Sequence, residues 1–414
     1  MEKVSVLVLG GEPSEVLLES LAASKELIKE VLYPACEKEI SKGNSKPEIE
    51  LVPVISQDFY GGALRNELLS RANSDYFLFL SPNSSFDEDF IGELLEEKLS
   101  SAANLVYSNL IIRRGDEEEV KNYQQLNGKE LSLVASLSPE EWVPEVGVLT
   151  DRFTLEKGGF FDEELYDYEF YDFLYRNARW IKLSLSEFSY LEFEQERTFI
   201  DTSVRSFVLR NRVLKEYDWE RELFPFLSWK EKPEVARATA LTIIGRRLVA
   251  YYDLFNATDF FRRALLSFHN QETLKDLISS LVRMGLFEEA LGLLSETQGV
   301  PQEAAEAERK KVKNIELLIN ELEKAVEEGK LYEVMATLPE VLEFYEGAPV
   351  LNLMGVINWL GKDLEGAFKA FYKAVTMNPI NRDYLFNLTS VAKELSKEEQ
   401  VKRLIKNLVG ERDG

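Results

Sequence analysis

A single histidine, His269, and a single cysteine, Cys36, limit the chemistry available to this chain. His269 lies in the second half, so a Ser-His-Asp triad, a Cys-His pair in the first half and a His-rich zinc site are excluded. In its setting, LLSFHNQ, it reads as a helix C-terminal or interhelical residue. Acid–base work would therefore fall to carboxylates, and any metal would be a hard ion such as magnesium or manganese. Acids gather at Asp87, Glu88 and Asp89 and again at Asp167, Glu169 and Asp172. The first trio more simply suits a helix N-terminus, where carboxylates complement the dipole, and the second the polar face of an amphipathic helix. Gly10 and Gly11 follow the apolar run VSVLVL and give a strand, glycine turn and helix with nucleotide-binding potential, though they are only part of a GxGxxG pattern.

These residues need a sheet to carry them, and the stretch from Gly61 to Phe90 supplies its centre. Leu64, Leu68, Leu69 and Ala72 predict a helix with one buried face, closed by Asn73 and Ser74. Tyr76 to Leu80 predicts a fully buried strand, and Asp87 opens another helix with Phe90, Leu94 and Leu95 on one face. The loop between them, Ser81 to Ser85, lies at the carboxyl end of that strand, where open α/β sheets bind ligands. Upstream, Ser14 caps a helix whose face includes Leu17, Leu18, Leu21 and Ile28, Lys42 to Pro47 is a loop, and Ile49 to Ile55 is a second strand, placed near an edge by Pro53. Downstream come a short strand at Leu105 to Tyr107, a charged turn at Arg113 to Glu119, and a last strand at Trp180 to Leu185. The alternation predicts a mostly parallel α/β layer.

With 414 residues the chain has room for two or three domains, and its net charge of −24 argues against nucleic acid as a partner. The apolar start is too short for a signal peptide, no apolar run reaches the length of a membrane span, and one cysteine builds no disulfide framework. A cytoplasmic protein is the expectation.

The order of segments resembles a family-2 inverting glycosyltransferase of the GT-A fold over residues 1 to 190. GGALRN resembles that family's Arg-Asn segment, and YFLFLSPNSSFDEDFIGELL its strand, metal loop and helix. KGGFFDEELYDYEFYDFLYR followed by NARWIKL resembles its acceptor-side segment, with Asp172 and Arg176 at the spacing of Glu-Asp-x-Asp-Leu-x-x-Arg. The resemblance implies that a nucleotide-sugar would meet Gly10, Gly11, Glu12, Arg65, Asn66, Ser81 and Asn83. It also implies that one of Asp167, Glu169 and Asp172 would deprotonate an acceptor hydroxyl for inverting displacement. The chain departs from the family where Ser81, Pro82 and Asn83 replace the Asp-x-Asp motif and where Phe170 takes the place of the base. A divalent cation is therefore implied only for an active enzyme, with no ligands assigned. The alternative is a non-catalytic scaffold or regulatory binding protein that keeps the fold without its chemistry.

Residues 191 to 240 predict a helical linker, including a basic helix from Arg205 to Trp219 that packs on the sheet or touches a diphosphate. From 241 to 414 the periodicity is helical throughout. A 34-residue frame opened at Ala348 places Leu351, Gly355, Ala367, Phe371, Ala374 and Pro379 at the signature positions of a tetratricopeptide repeat. Looser copies surround Leu274 to Leu294 and Leu318 to Leu338, Tyr251 to Phe268 supplies half of another, and Glu398 to Leu408 a polar cap. The expected architecture is thus a GT-A-like α/β domain followed by an all-α tetratricopeptide-like solenoid that presents a surface to a protein or peptide partner.

Overall fold

The computed structural model describes residues 2–36, 49–56, 61–126, 137–194, 201–296 and 302–410. The expected loop at Lys42 to Pro47 lies outside them. Two compact units emerge, one from residues 1–200 and 208–223, the other from residues 201–207 and 224–414.

The first unit is built on a nine-stranded mixed sheet. Its strands are β1 (Val4–Val8), β2 (Ile28–Ala35), β3 (Leu51–Ile55), β4 (Tyr76–Leu80), β5 (Ser84–Ser85), β6 (Leu105–Arg114), β7 (Glu117–Lys121), β8 (Val148–Asp151) and β9 (Leu183–Glu194). They lie in the order β3-β2-β1-β4-β8-β6-β9-β5, with β7 hairpinned onto β6. β3, β2, β1 and β4 run parallel, as do β6 and β9, whereas β8 is antiparallel to both of its neighbours. The sheet is therefore mixed rather than mostly parallel. Buried Val, Leu and Phe from β1 and β4 form its centre, consistent with strands covered on both faces.

Several boundaries differ from the sequence expectation for identifiable reasons. Helix α1 (Glu15–Ala23) is capped by Ser14 as expected but ends at Ser24, and Ile28 opens β2 instead of continuing the helix. Ile28, Val31 and Leu32 are buried there, while Glu30, which would suit a helix surface, is buried against Ser5 and Asn73. β3 is an edge strand, as Pro53 required. The supposed charged turn is mostly a hairpin, with only Gly115 and Asp116 between β6 and β7, and the last strand extends to Glu194. Helices α2 (Gly61–Arg71), α3 (Phe90–Ser101), α4 (Arg152–Gly158) and α5 (Glu169–Asn177) complete the layer. The expected basic helix resolves into α6 (Thr202–Val208), which up to residue 207 belongs to the second unit, and, in the first unit, a five-residue π turn at Leu209–Val213 and a short turn at Leu214–Glu216.

The second unit is helical: α7 (Pro233–Ala250), α8 (Leu254–Ser267), α9 (Gln271–Met284), α10 (Phe287–Glu296), α11 (Gln302–Glu327), α12 (Leu331–Phe344), α13 (Ala348–Leu360), α14 (Leu364–Met377), α15 (Arg382–Glu394) and α16 (Glu398–Val409). Leu351, Ala367, Phe371 and Ala374 are buried, and a Cβ on Gly355 would stand 2.5 Å from the Phe371 ring. The same arrangement recurs 110 residues earlier, where Leu241, Ala257, Phe261 and Ala264 are buried and a Cβ on Gly245 would stand 2.5 Å from Phe261. Tyr252 and Lys362 take the same left-handed backbone, and Asp253 and Asp363 then cap α8 and α14 through side-chain oxygens. Tyr251 to Phe268 thus contains α8, half of a pair whose other half is α7, and that hairpin is built like α13 and α14. Not all contacts are between neighbours, because Asn256 in α8 donates to the carbonyl of Leu408 in α16 at 2.9 Å.

Candidate functional site

The chain runs from β1 through α1 to β2 on one side of β1, and from β3 through α2 to β4 on the other. The strand order thus reverses between β1 and β4, and in open α/β sheets ligands bind beside the loops that leave the carboxyl ends of strands at such a point. The Leu9 amide donates to the Leu80 carbonyl at 2.9 Å and the Ser14 amide to the Pro82 carbonyl at 3.0 Å. A Cβ on Gly11 would meet the Pro82 ring in ordinary contact at 3.8 Å. Gly10, Gly11, Glu12, Ser81 and Asn83 are therefore drawn together on two tied loops. Glu12 and Asn83 are exposed; burial first, and the Glu12 charge second, raise the Tyr33 pKa at the end of β2.

The loop after β4 is closed by its own serines. The Ser81 amide donates to Ser84 Oγ at 3.1 Å, and the two hydroxyls are 3.0 Å apart, while β5 pairs with the far half of β9. Ser81 and Asn83 offer neutral oxygens where a divalent ion would call for carboxylates, and no group of three potential metal-ligating acids, cysteines or histidines occurs among the described residues. Asp87, Glu88 and Asp89 are exposed at the approach to α3. The neutral oxygens of the Ser81–Asn83 loop therefore do not fit a divalent cation.

Arg65, Asn66, Glu169 and Asp172 are brought together elsewhere, in a clamp between α2 and the segment entering α5. A Cβ on Gly62 would lie 2.0 Å from the Asp162 carbonyl oxygen, and one on Gly61 2.4 Å from Tyr166 Cα, so only glycine lets α2 lie against this backbone. Asn66 reads the same backbone from both sides, donating to the Phe161 carbonyl at 2.9 Å and accepting from its amide at 3.1 Å. Arg65, 2% exposed, donates through Nε to Glu169 Oε1 at 2.5 Å and lies over the rings of Phe79, Phe161 and Phe170. Tyr168 adopts a left-handed backbone immediately before Glu169, and its hydroxyl donates to Glu140 at 2.8 Å. Two turns of α5 follow, with Asp172 fully buried; Arg176 Nε donates to Asp172 Oδ2 at 2.8 Å. Burial pushes the Asp172 pKa up, opposed by the Arg176 and Arg212 guanidinium groups. Arg212 also pairs with Asp162 at 2.5 Å.

These contacts turn the expected polar face of α5 inward. Glu169 and Asp172 are each held by an arginine, Phe170 is buried, and Asp167 remains half-buried. Sequence reading missed Glu145. The pairing of Phe79 with Val148 carries the residues just before β8 to the carboxyl end of β4, where Glu145, with its side chain 47% exposed, lies 3.6 Å from Arg65. No local motif marks this glutamate; only the antiparallel register places it.

No protein-family model and no curated protein matches the chain. Among solved structures, S. aureus TarS 1–349 in complex with UDP-GlcNAc matches at 14% identity and a TM-score of 0.45, covering 80% of this chain and 92% of that one. S. aureus TarS 1–349 without a named ligand matches at 14% identity and 0.42, covering 79% and 92%. These are loose likenesses of backbone path, and they assign no family.

Proposed function

We propose that the α/β unit is a GT-A-like, glycosyltransferase-like domain that holds a nucleotide-sugar in the crevice between the β1 and β4 loops. The carrying observation is the reversal of strand order at that point, with Gly10, Gly11, Ser81 and Asn83 on the two loops that border it. The sequence resemblance independently gives those loops the same role. Backbone amides of the Gly10–Gly11 turn would meet the diphosphate, and Glu12 and Asn83 would border the donor. Transfer to an acceptor would need a base, and Asp167 and Glu145 retain exposed surface for it. In this reading Arg65 and Asn66 position the acceptor-side segment rather than touch the donor.

A second reading, a non-catalytic binding protein, is favoured by the arginines that hold Glu169 and Asp172 and by the neutral Ser81–Asn83 loop. Under both readings the helical unit, a tetratricopeptide-like array, receives a protein or peptide partner.

Isothermal titration of the full chain with UDP, GDP and UDP-sugars, with and without manganese, tests the donor site. Metal-independent binding of a nucleotide, weakened by Gly11→Val, is expected; absence of binding to every nucleotide refutes the proposal. Donor hydrolysis then separates the readings, since loss of a general base should slow it by about 10²–10⁴-fold in Glu145→Gln or Asp167→Asn.

A further inference from the structure

The helical unit contains a groove of 580 Å³ bordered by α9, α11 and the residues joining α12 to α13. Its lining is apolar where Leu274, Ile278, Val282, Leu294, Val312 and Ile315 meet. A second hollow of 400 Å³ shares Lys311, Ile315 and Phe344 with it and continues to Leu318. From Ala307 to Leu318 the two follow α11 for about 16 Å, at the helical rise per residue. Phe344 stands beside both and is 60% exposed, an aromatic side chain with much of its surface uncovered.

The charge around this furrow runs against that of the chain. The whole protein carries −24, yet Lys275, Arg283, Lys310 and Lys311 line the furrow against Glu308 and Glu346. Glu346 is already engaged by Lys373 at 2.5 Å and by Arg283 at 3.8 Å. Lys275, Lys310 and Lys311 take part in no ion pair among the described residues. Three cations with no ion pair among the described residues, set beside an apolar floor, are complementary to an anionic ligand that also brings apolar side chains. Nucleic acid fits poorly, because the phosphate backbone would be repelled by the chain as a whole.

We propose that this furrow docks a short acidic segment of a partner protein, in which bulky apolar side chains are flanked by Asp or Glu. The inference rests on reading the helical unit as partner-binding and gives that partner a chemistry. Apolar anchors would fill the floor beside Ile278 and Ile315, and the flanking carboxylates would meet Lys275, Lys310 and Lys311. Charge at the rim would govern association rate and salt sensitivity, and the apolar floor residence time.

The test is selection of a random 12-residue peptide phage library on the full chain, followed by fluorescence anisotropy with the enriched peptides. The expected peptides are rich in Asp and Glu and carry at least two bulky apolar residues. Their affinity should fall about tenfold or more in Lys275→Glu/Lys311→Glu, and also in Phe344→Ser, with thermal midpoints and nucleotide binding unchanged. Enrichment of peptides without acidic residues, or of acidic peptides insensitive to the charge reversal, overturns the inference while leaving a partner-binding unit in place. Enrichment of nothing overturns both. A concentration-dependent dimer in sedimentation, abolished by the charge reversal, overturns it by making a second copy of the chain the occupant.

Discussion

Replacing Arg65 by methionine tests whether the α2–α5 clamp is structural. The substitution keeps much of the side-chain volume but leaves the Glu169 carboxylate, 4% exposed, without its cation. Removing one partner of a buried pair costs about 3–5 kcal/mol, because the remaining charge has no solvent to turn to. The Phe79, Phe161 and Phe170 rings also lose a cation at 5.0–5.6 Å, although methionine sulfur recovers part of that attraction. A net loss of about 4 kcal/mol is therefore expected, equivalent to roughly a thousandfold in an opening equilibrium. Hydrogen exchange read by mass spectrometry should show it in peptides covering residues 61–71 and 160–177. The double variant Arg65→Met/Glu169→Leu removes both charges and should recover most of the loss, since a buried pair is commonly replaceable by apolar residues of similar volume. Nucleotide binding should survive in that double variant. A loss below about 1 kcal/mol in the single variant, or no recovery in the double, would refute the clamp. Recovery of stability with abolished nucleotide binding would return Arg65 to the donor site.

Two further predictions concern packing and protonation. Gly245→Val and Gly355→Val should each destabilise the helical unit by about 1–3 kcal/mol through overpacking against Phe261 and Phe371, measured by urea unfolding. A similar penalty at both sites is expected from their common geometry, and a neutral result at either would contradict it. Tyr217, whose hydroxyl donates to the Tyr175 carbonyl at 2.6 Å, has its pKa pushed up to about 12, chiefly by burial. The folded chain thus holds this proton more tightly than the unfolded chain, where the pKa is about 10. Its contribution to stability is fully present below pH 10 and is lost as pH rises through about 12. Ultraviolet difference titration of the wild type against Tyr217→Phe should show one phenol ionising near pH 12, and ionisation near 10 would be the contrary result.

The core of the sheet unit was readable from local pattern because its signals are local. Tyr76 to Leu80 is a short, uninterrupted apolar run, and the Pro53 strand declares its edge position by lacking an amide donor. β2 was hidden because Ile28 fits the helical spacing of Leu17 and Leu21, and Glu30 finds its partners only after folding brings Ser5 and Asn73 to it. The candidate site was legible only as a set of loops. Glu169 and Asp172 sit among aromatics in a pattern that also describes a solvated helix face, and what turns them inward is Arg65, 104 residues away, together with Arg176 and Arg212. The frame at Ala348 ends in Pro379, a visible stop. The matching hairpin at Ala238 to Ala264 carries the same small and aromatic positions but has His269 where the proline would stand, so its end was unmarked.

The bond between Asn256 and Leu408 changes how the helical unit can come apart. In an open array of repeats the terminal units have one neighbour, so melting begins at the ends and proceeds stepwise. Here Asn407 also donates to Ser203 at 3.0 Å, and Ser206 donates to Asp253, the residue that caps α8. The last helix is thereby fastened to residues 152 and 204 positions earlier, and fraying it breaks hydrogen bonds that hold the first hairpin and α6. Linking the two ends makes a series of local openings into one shared event. A lesion in α16 would then register as weakened protection in α8, and a partner seated on the intervening helices would meet a cooperative body rather than a chain of independent hinges.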